Sequence, residues 1–385
     1  MDFSSPVEVE SFRNALRAWL AANLTDDVVA AGRGRGRRDA AFETLRAWDA
    51  KTADAGWAAV SWPKESGGRG ATVLEQLAYA EETTRARAPL PLNVIGLNNI
   101  APAIMQYGSE AQNRTLLPRM MRADDIWCQG MSEPEAGSDL ASLRTRAVRD
   151  GDDFVVNGQK IWTSLGQRAD WCQLYVRTDP DAPKHKGISC LIVDMALPGI
   201  EVRPIQTLTG DSEFAELFFN DVRVPANALL GPLNGGWQVA TTTLSHERAG
   251  AARLYAEMQL RLQDLAADLS ESNVDGRQAL EDTATLRRLG QIAVRIKYLE
   301  LLCLRSISAT LHGGDAFGSA SLAKTVWGEV GQELAALGFD ALGPTGADGR
   351  WAHHRLSSRS LTIAGGTTQI NKNITAQRVL GLPRQ

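Results

Sequence analysis

Apolar residues recur at helical spacing through the first third of the chain. Residues 8–24 predict an amphipathic helix, since their large apolar side chains are spaced three or four positions apart or adjacent: Phe12, Leu16, Trp19 and Leu20. Further helical segments are predicted at residues 41–55 and 72–87, and at residues 97–122, which suit two short helices. Residues 1 to about 125 are therefore predicted to form an α-helical domain.

The pattern changes near residue 126, where short or alternating apolar runs replace the helical spacing. Turn-forming residues separate these runs, which predict strands at 153–156, 171–176, 187–194, 201–204 and 215–219. We interpret Asn157-Gly158 as a hairpin turn in which both residues have positive φ. Residues 126–230 are thus predicted to be a β domain, either a sandwich or a small barrel.

Helical patterning returns after Gly235 and continues to the end of the chain. The runs 236–269, 278–312 and 320–342 are long enough for large antiparallel helices, and a last helix is predicted to start near Thr367. Residues 231–385 are therefore predicted to form a helical bundle domain. The fold class that follows is α+β, with a β domain between two helical ones.

Composition and charge exclude several classes of protein. The chain has 385 residues, 44% hydrophobic and 22% charged, with a net charge of −4. This acidic balance argues against nucleic-acid binding, so we interpret the Gly/Arg run at 32–38 as a solvated loop. No apolar run approaches the ~20 residues of a membrane span, and residues 1–12 lack the apolar region of a signal peptide, which predicts a cytoplasmic protein.

The cysteines and histidines show no spacing that is typical of metal ligands. The four cysteines are scattered without a CxxC pair, which predicts free thiols and no metal site: Cys128, Cys172, Cys190 and Cys303. His353-His354 is interpreted as part of a surface helix or loop.

Two neighbouring motifs carry the most specific chemical signal. Residues 131–139 read MSEPEAGSD, and residues 157–164 read NGQKIWTS. Small hydroxyl residues and glycine let donors approach a flat polar ligand, and a tryptophan beside them can cover a ring. Together they closely resemble the acyl-CoA dehydrogenase family, whose EPxAGSD loop and NGxKxW strand hold the flavin of FAD. The resemblance implies an N-terminal helical domain, a middle β domain and a C-terminal four-helix bundle.

The same resemblance assigns the FAD contacts. It implies contacts from the first motif and the residues before it: Gln129, Met131, Ser132, Gly137 and Ser138. Trp162, Thr163 and Ser164 would cover the flavin ring. Thr367 and Gln369 match positions that reach the adenosine part, at the start of a helix whose amide donors suit phosphate.

The catalytic base needs a separate search, because the usual position does not hold a carboxylate. Family members oxidise an acyl-CoA thioester to the enoyl-CoA, and a carboxylate removes the α-proton. In many members it is a Glu just before a Gly-Thr pair, where this chain has Gly365 before Gly366-Thr367. A second branch of the family carries the base on a bundle helix just before an Arg, and Glu247-Arg248 match that pattern.

We therefore predict that Glu247 is the base and that the backbone N–H of Gly365 helps to hold the thioester oxygen. Ser138, Arg248 and Gly366 are predicted substrate contacts. The alternatives are that Glu247 is a solvated or Arg-paired glutamate, or that His246 is the base. Adjacent helix positions point about 100° apart, so His246 and Glu247 cannot both face the substrate.

Substrate and partners are less constrained by the sequence. Gly365 leaves space near the reacting carbons, which favours a branched, alicyclic or steroid-derived acyl group. Many relatives carry an RxxFG string whose Arg meets the FAD pyrophosphate, but residues 270–300 contain only Arg287-Arg288-Leu289-Gly290. That Arg could come from another polypeptide, so a homotetramer and an α2β2 heterotetramer both remain open. Electron-transfer flavoprotein is the acceptor that the family implies.

Two other functions remain as alternatives. The chain could be the base-bearing subunit of a heteromeric dehydrogenase, incomplete without its partner. It could also be a flavin enzyme of the same fold with different chemistry, such as a monooxygenase or a desulfinase. A retained Glu247 argues against the type of desulfinase that works without a base.

Overall fold

The computed structural model describes residues 6–33, 39–247, 251–274, 277–314 and 317–383. Its contacts divide the chain into two compact units. The sheet unit comprises residues 24–71 and 89–247, and the bundle unit comprises residues 1–23, 72–88 and 248–385. The helices predicted near the N-terminus are shared between these units, whereas the three predicted domain boundaries stay predictions.

Helices of the sheet unit precede its strands in the chain. They are α2 (Asp26–Arg33), α3 (Asp39–Asp54), α5 (Ala101–Tyr107) and α6 (Glu110–Met121). The helices predicted at 41–55 and 97–122 are confirmed, and a π-helical turn, Gly96–Ile100, leads into α5. The helix α2 was not predicted: it includes the first two residues of the Gly/Arg run, whose residues 34–38 lie outside the described part of the chain.

Seven strands form the sheet of this unit. They are β1 (Trp127–Gly130), β2 (Arg146–Asp150), β3 (Asp153–Ser164), β4 (Trp171–Arg177), β5 (Ile188–Asp194), β6 (Ile200–Ile205) and β7 (Phe214–Pro225). Their order is β1-β4-β2-β3-β7-β6, and β5 pairs with β4 on its own. All five predicted strands are confirmed. A core of alternating buried side chains, including Phe154, Val156 and Leu217, explains why these runs form strands.

The interpretation of Asn157-Gly158 as a hairpin turn is wrong. The turn between β2 and β3 lies at Gly151, whose φ is 61°, and Asn157 pairs with Arg146 inside the sheet. The register between β3 and β7 shifts between Val156 and Gly158. A Cβ on Gly158 would lie 2.6 Å from the Cα of Thr145, so glycine permits the segment before β2 to approach β3 closely.

The last helix of the sheet unit is α7 (Gly236–Glu247), which packs against α5 and β5. The apolar spacing predicts one continuous helical run over 236–269. The structure instead describes two helices there, α7 and α8 (Ala251–Glu271), and residues 248–250 between them lie outside the described part. They belong to different compact units.

The bundle unit is built around α8, α9 (Thr283–Leu311) and α10 (Phe317–Ala341). Two N-terminal helices join it, α1 (Val7–Asn23) and α4 (Val73–Arg85), and both were predicted. Two short strands, β8 (Asn273–Val274) and β9 (Arg277–Gln278), link α8 to α9. Its core joins side chains of these long helices: Met258, Leu265, Ile296, Leu299, Val330 and Leu334.

The bundle unit ends with α11 (Gly349–Ser357) and α12 (Thr368–Ile374). The predicted start of a helix near Thr367 is confirmed, because the Thr367 hydroxyl caps α12 by accepting the Ile370 N–H at 3.2 Å. His353 and His354 lie on α11, where both are half-buried. Burial lowers the pKa of His354 to about 4.

The four cysteines are free, as predicted, and the structure shows that all four are buried. Among the described residues, no helix is long and apolar enough to cross a membrane.

Candidate functional site

The two motifs lie side by side in the sheet unit. The backbone N–H of Ile161 in β3 donates to the carbonyl oxygen of Ser132 at 2.9 Å. The ammonium group of Lys160 donates to the carbonyl oxygen of Met131 at 3.1 Å. The loop after β1 is thus attached to the strand that carries Trp162.

A buried ion pair fixes this attachment. Lys160 is fully buried, and its Nζ lies 2.8 Å from Oε1 of Glu133, which is 8% exposed. The Glu133 carboxylate also accepts the backbone N–H groups of Arg144 at 2.6 Å and Thr145 at 2.8 Å. Burial alone would raise the pKa of Glu133, but the charge and hydrogen bond of Lys160, together with the hydrogen bonds from Thr145 and Arg144, lower that pKa.

Sequence reasoning missed the role of this pair. Both residues stand in the quoted motifs, yet neither was assigned a function. One signal was present: Lys160 falls on the same alternate positions of β3 as the apolar residues Phe154 and Val156. Such a residue is rarely buried unless an opposite charge pairs with it.

Trp162 projects from the sheet in an unusual backbone conformation. Its φ is 62°, and the pairing of β3 with β7 is irregular between Lys160 and Thr163. The Trp162 side chain is 57% exposed and meets Phe214 edge-on, with ring centroids 6.0 Å apart. The irregular pairing therefore leaves the indole of Trp162 exposed to solvent. Its neighbours in β3 are not exposed: Ile161 is half-buried and Thr163 is buried.

Next to Trp162, the hydroxyl of Thr163 is buried without a hydrogen bond. Thr163 is 1% exposed, and its Oγ1 has no partner among the described residues. A buried hydroxyl without a partner is unfavourable, and a ligand that forms a hydrogen bond with it would remove that cost. The following residue, Ser164, is half-buried at the end of β3.

The polar part of the first motif is open. Gly137 and Ser138 are exposed, and nothing lies within 4 Å of the place where a Cβ on Gly137 would stand. Gln129 lies on β1 and is half-buried, and its amide donates to Oε1 of Gln173 on β4 at 3.0 Å. This glutamine pair borders the motif and connects it to α7.

The connection to α7 runs through Thr243. Its Oγ1 lies 3.2 Å from the hydroxyl of Tyr175 and accepts from the amide of Gln173 at 3.4 Å. Position 247 lies one helical turn later, on the same face of α7 as Thr243. The Glu247 side chain is outside the described part of the structure, but this helix face is directed to Gln173 and Tyr175 of β4.

The neighbouring face of α7 has a different environment. The hydroxyl of Thr242 lies 3.1 Å from the hydroxyl of Tyr107 on α5. Position 246 follows Thr242 by one turn, so it shares the face directed to α5. The side chain of His246 and all of Arg248 are likewise outside the described residues.

The remaining predicted site residues lie in the bundle unit. Gly365 and Gly366 both have positive φ, 67° and 92°. The amide of Asn371 donates to the carbonyl oxygens of Gly366 at 2.8 Å and Thr367 at 3.1 Å, which holds this turn. No described residue accepts the backbone N–H of Gly365 or Gly366, so both donors are available to a ligand. Gln369 is exposed in the first turn of α12.

Comparison with known families accounts for nearly all of the chain. Three family descriptions match in order: the acyl-CoA dehydrogenase N-terminal domain over residues 6–124, the middle domain over 128–222 and the C-terminal domain over 234–380. Acyl-CoA dehydrogenase IpdE1 of Mycobacterium tuberculosis (strain ATCC 25618 / H37Rv) is 38% identical, over 98% of this chain and 99% of its own length.

Solved structures agree with this result. One described as "Tcur3481-Tcur3483 steroid ACAD" has a TM-score of 0.88 and 32% identity, with 100% of each chain covered. The ChsE4-ChsE5 complex from Mycobacterium tuberculosis has a TM-score of 0.86 and 34% identity, again with 100% of each chain covered. The chain belongs to the acyl-CoA dehydrogenase family of oxidoreductases.

Proposed function

We propose that this chain oxidises an acyl-CoA thioester to the trans-2-enoyl-CoA and that Glu247 is its base. The observation that carries the assignment of the base is the orientation of α7. The hydroxyl of Thr243 accepts a hydrogen bond from Gln173, so this face of α7 lies toward Gln173. Gln173 in turn accepts a hydrogen bond from Gln129, which lies beside the flavin motif. Position 247 shares that face, whereas position 246 shares the face directed to α5.

In this proposal each group has a defined task. The Cα–H bond of the thioester breaks, and its proton passes to the Glu247 carboxylate. The thioester oxygen gains negative charge at that moment and accepts the unpaired N–H of Gly365. Gly365 has no side chain and cannot be the base itself. FAD held there would supply the oxidant, as acceptor of the β-hydrogen and its electron pair.

The residues of the site fit FAD. Members of this family are flavoproteins, and a flat ring with polar edges suits an exposed indole beside a hydroxyl that has no partner, as at Trp162 and Thr163. We propose that the ring contacts these two residues and Ser164. The loop contacts are Gln129, Met131, Ser132, Gly137 and Ser138, and the adenosine contacts are Thr367 and Gln369.

Thr163→Val tests this fit without measuring turnover. Valine has the shape of threonine and removes a hydroxyl that no described residue satisfies, so we expect no loss of stability. The FAD dissociation constant of the assembled protein should rise about 2- to 10-fold, the value of one hydrogen bond. Calorimetric titration of the apoprotein with FAD, together with denaturant unfolding, measures both quantities.

Thr145→Val is the matched control. Thr145 is equally buried, but its hydroxyl donates to the carbonyl oxygen of Gln159 at 3.2 Å. This change should lower the free energy of unfolding by about 1 kcal/mol and leave FAD affinity almost unchanged. The fit proposed for Thr163 is refuted if its valine variant loses stability like Thr145→Val and binds FAD normally.

We further propose that the acyl group is bulky, in the class of steroid-derived side chains. The family pattern implies that Gly365 stands near the reacting carbons, where it contributes no side chain, and the relative described as a steroid ACAD is 32% identical over its whole length. A panel of octanoyl-, isovaleryl- and steroid side-chain CoA thioesters tests this. We expect kcat/KM to favour the steroid thioester at least about 10-fold, equivalent to 1.4 kcal/mol. A preference for octanoyl-CoA would overturn the assignment, and a flavin that no thioester reduces would indicate other chemistry.

A second candidate is that the chain is the base-bearing subunit of a heteromeric dehydrogenase. In the segment where an FAD-binding arginine was sought, Arg288 is 3.3 Å from Asp340, so it is already paired. The similar ChsE4-ChsE5 structure is a complex of two named proteins. We propose an α2β2 assembly with electron-transfer flavoprotein as acceptor. Flavin that stays with the chain purified alone would argue for a homo-oligomer instead.

A further inference from the structure

The ammonium group of Lys160 contacts the first motif as well as its ion-pair partner. Its Nζ donates to the Glu133 carboxylate at 2.8 Å and to the carbonyl oxygen of Met131 at 3.1 Å. Lys160 is fully buried, so water screens its charge only weakly. Burial lowers the pKa of Lys160, and the Glu133 carboxylate opposes that shift. The ammonium therefore places a positive charge directly on one peptide group of the first motif.

The peptide group between Met131 and Ser132 has a free donor on its other side. No peptide bond in the described ranges is cis, so the Met131 carbonyl and the Ser132 N–H point in opposite directions. Lys160 holds the carbonyl, whereas no described residue accepts the backbone N–H of Ser132. Both Met131 and Ser132 are half-buried. A ligand beside this loop can therefore accept the Ser132 N–H.

Further hydrogen bonds fix the direction of this donor. The backbone N–H of Ile161 donates to the carbonyl oxygen of Ser132 at 2.9 Å. The Glu133 carboxylate, which follows Ser132, is held by the backbone N–H groups of Arg144 and Thr145. The donor is thus held in place before a ligand arrives, and a preorganised donor needs little rearrangement when charge develops on its acceptor.

We propose that Lys160 is a positioning residue that strengthens the Ser132 N–H as a donor to the flavin ring and so favours the reduced flavin. A cation on a peptide carbonyl draws electrons from the peptide group and makes its N–H a stronger donor. A ring that gains a hydride also gains its negative charge, so this donor stabilises the reduced form more than the oxidised form. The inference rests on the FAD site proposed above.

The reduction potential of the bound flavin tests this role. Lys160→Met removes the cation from the Met131 carbonyl, so the affinity for reduced FAD relative to oxidised FAD should fall about 10- to 30-fold. A tenfold fall corresponds to about 30 mV for a two-electron couple. Anaerobic spectroelectrochemical titration of the assembled protein, reconstituted with excess FAD, measures this potential without any thioester.

The double variant Glu133→Gln/Lys160→Met separates the effect on the flavin from folding stability. It leaves no buried charge in the pair, so it should be nearly as stable as the wild type, but the Met131 carbonyl still lacks its cation. Its relative affinity for reduced FAD should stay about 3- to 10-fold below that of the wild type. A double variant with the wild-type potential, or one that no longer binds oxidised FAD, would overturn the proposal.

Two controls distinguish the contact on Met131 from other causes of a shift. Thr145→Val lowers stability without changing any charge and should keep the wild-type potential. Arg144→Gln removes a cation of the same loop whose side chain is 80% exposed and pairs with Glu135 at 2.8 Å. Water screens that charge, so this variant should also keep the potential. If Arg144→Gln lowers the potential as much as Lys160→Met, the overall charge of the loop sets it and the role of Lys160 is wrong.

This role and the proposed reaction can fail separately. If no thioester reduces the flavin but the potential shifts as expected, the proposed chemistry is wrong and the role of Lys160 stands. If thioesters reduce the flavin and Lys160→Met has the wild-type potential, the role of Lys160 is wrong and the proposed chemistry stands.

Discussion

Glu247→Gln is expected to slow acyl-CoA oxidation by about 10²- to 10⁴-fold, the usual contribution of a positioned base. Glutamine keeps the size of the side chain but cannot accept the α-proton. Thioester affinity should change little, because the loss occurs in the transition state and not in the bound ground state. Steady-state kcat and an equilibrium titration with the thioester separate the two effects.

His246→Gln is the matched control, one residue earlier on the same helix. Position 246 follows Thr242, whose hydroxyl meets Tyr107 on α5, so this variant should keep its activity. If His246→Gln loses activity as severely as Glu247→Gln, the distinction between the two helix faces is not what selects the base. If Glu247→Gln stays active, the base lies elsewhere in the protein.

Lys160→Met should lower the free energy of unfolding by about 3 to 5 kcal/mol. The reason is that the change leaves the Glu133 carboxylate buried without its cation, and an uncompensated buried charge is strongly unfavourable. The loop of the first motif should loosen as well, because Lys160 holds both Glu133 and the Met131 carbonyl. Denaturant unfolding at neutral pH measures the stability, and FAD content reports the state of the loop.

The double variant Glu133→Gln/Lys160→Met should recover most of that loss, since no charge remains buried. Acid titration gives a second check. The pKa of Glu133 is lowered in the folded protein, so its contribution is present above the unfolded pKa and is lost as pH falls through the folded one. The double variant should lack this acid-dependent loss. A single variant as stable as the wild type would contradict the account of the pair.

Helices and strands were predictable where the signal was local. The spacing of apolar residues predicted α1, α3, α4, α9 and α10, and the start of α12 was predicted near Thr367. Asn157-Gly158 shows the limit, because this dipeptide favours a turn by itself. The close approach of Thr145, in the segment before β2, decides its structure, and a short sequence window does not contain that contact.

The candidate site divides in the same way. The two motifs were enough to predict Trp162, Thr163 and the polar loop as parts of the site, since the residues of each motif follow one another in the chain. They did not show that Lys160 and Glu133 are buried together, because pairing between distant segments depends on the folded register. The role of Thr243 was missed for the same reason: its partners on β4 are about 70 residues away.

Anaerobic mixing of the assembled flavoprotein with its acyl-CoA thioester tests the central claim most directly. The account predicts that the flavin absorbance bleaches while one enoyl-CoA forms for each flavin reduced. It also predicts that Glu247→Gln binds the thioester without bleaching. Bleaching that is unchanged in Glu247→Gln, or a flavin-loaded protein that no thioester bleaches, would contradict it.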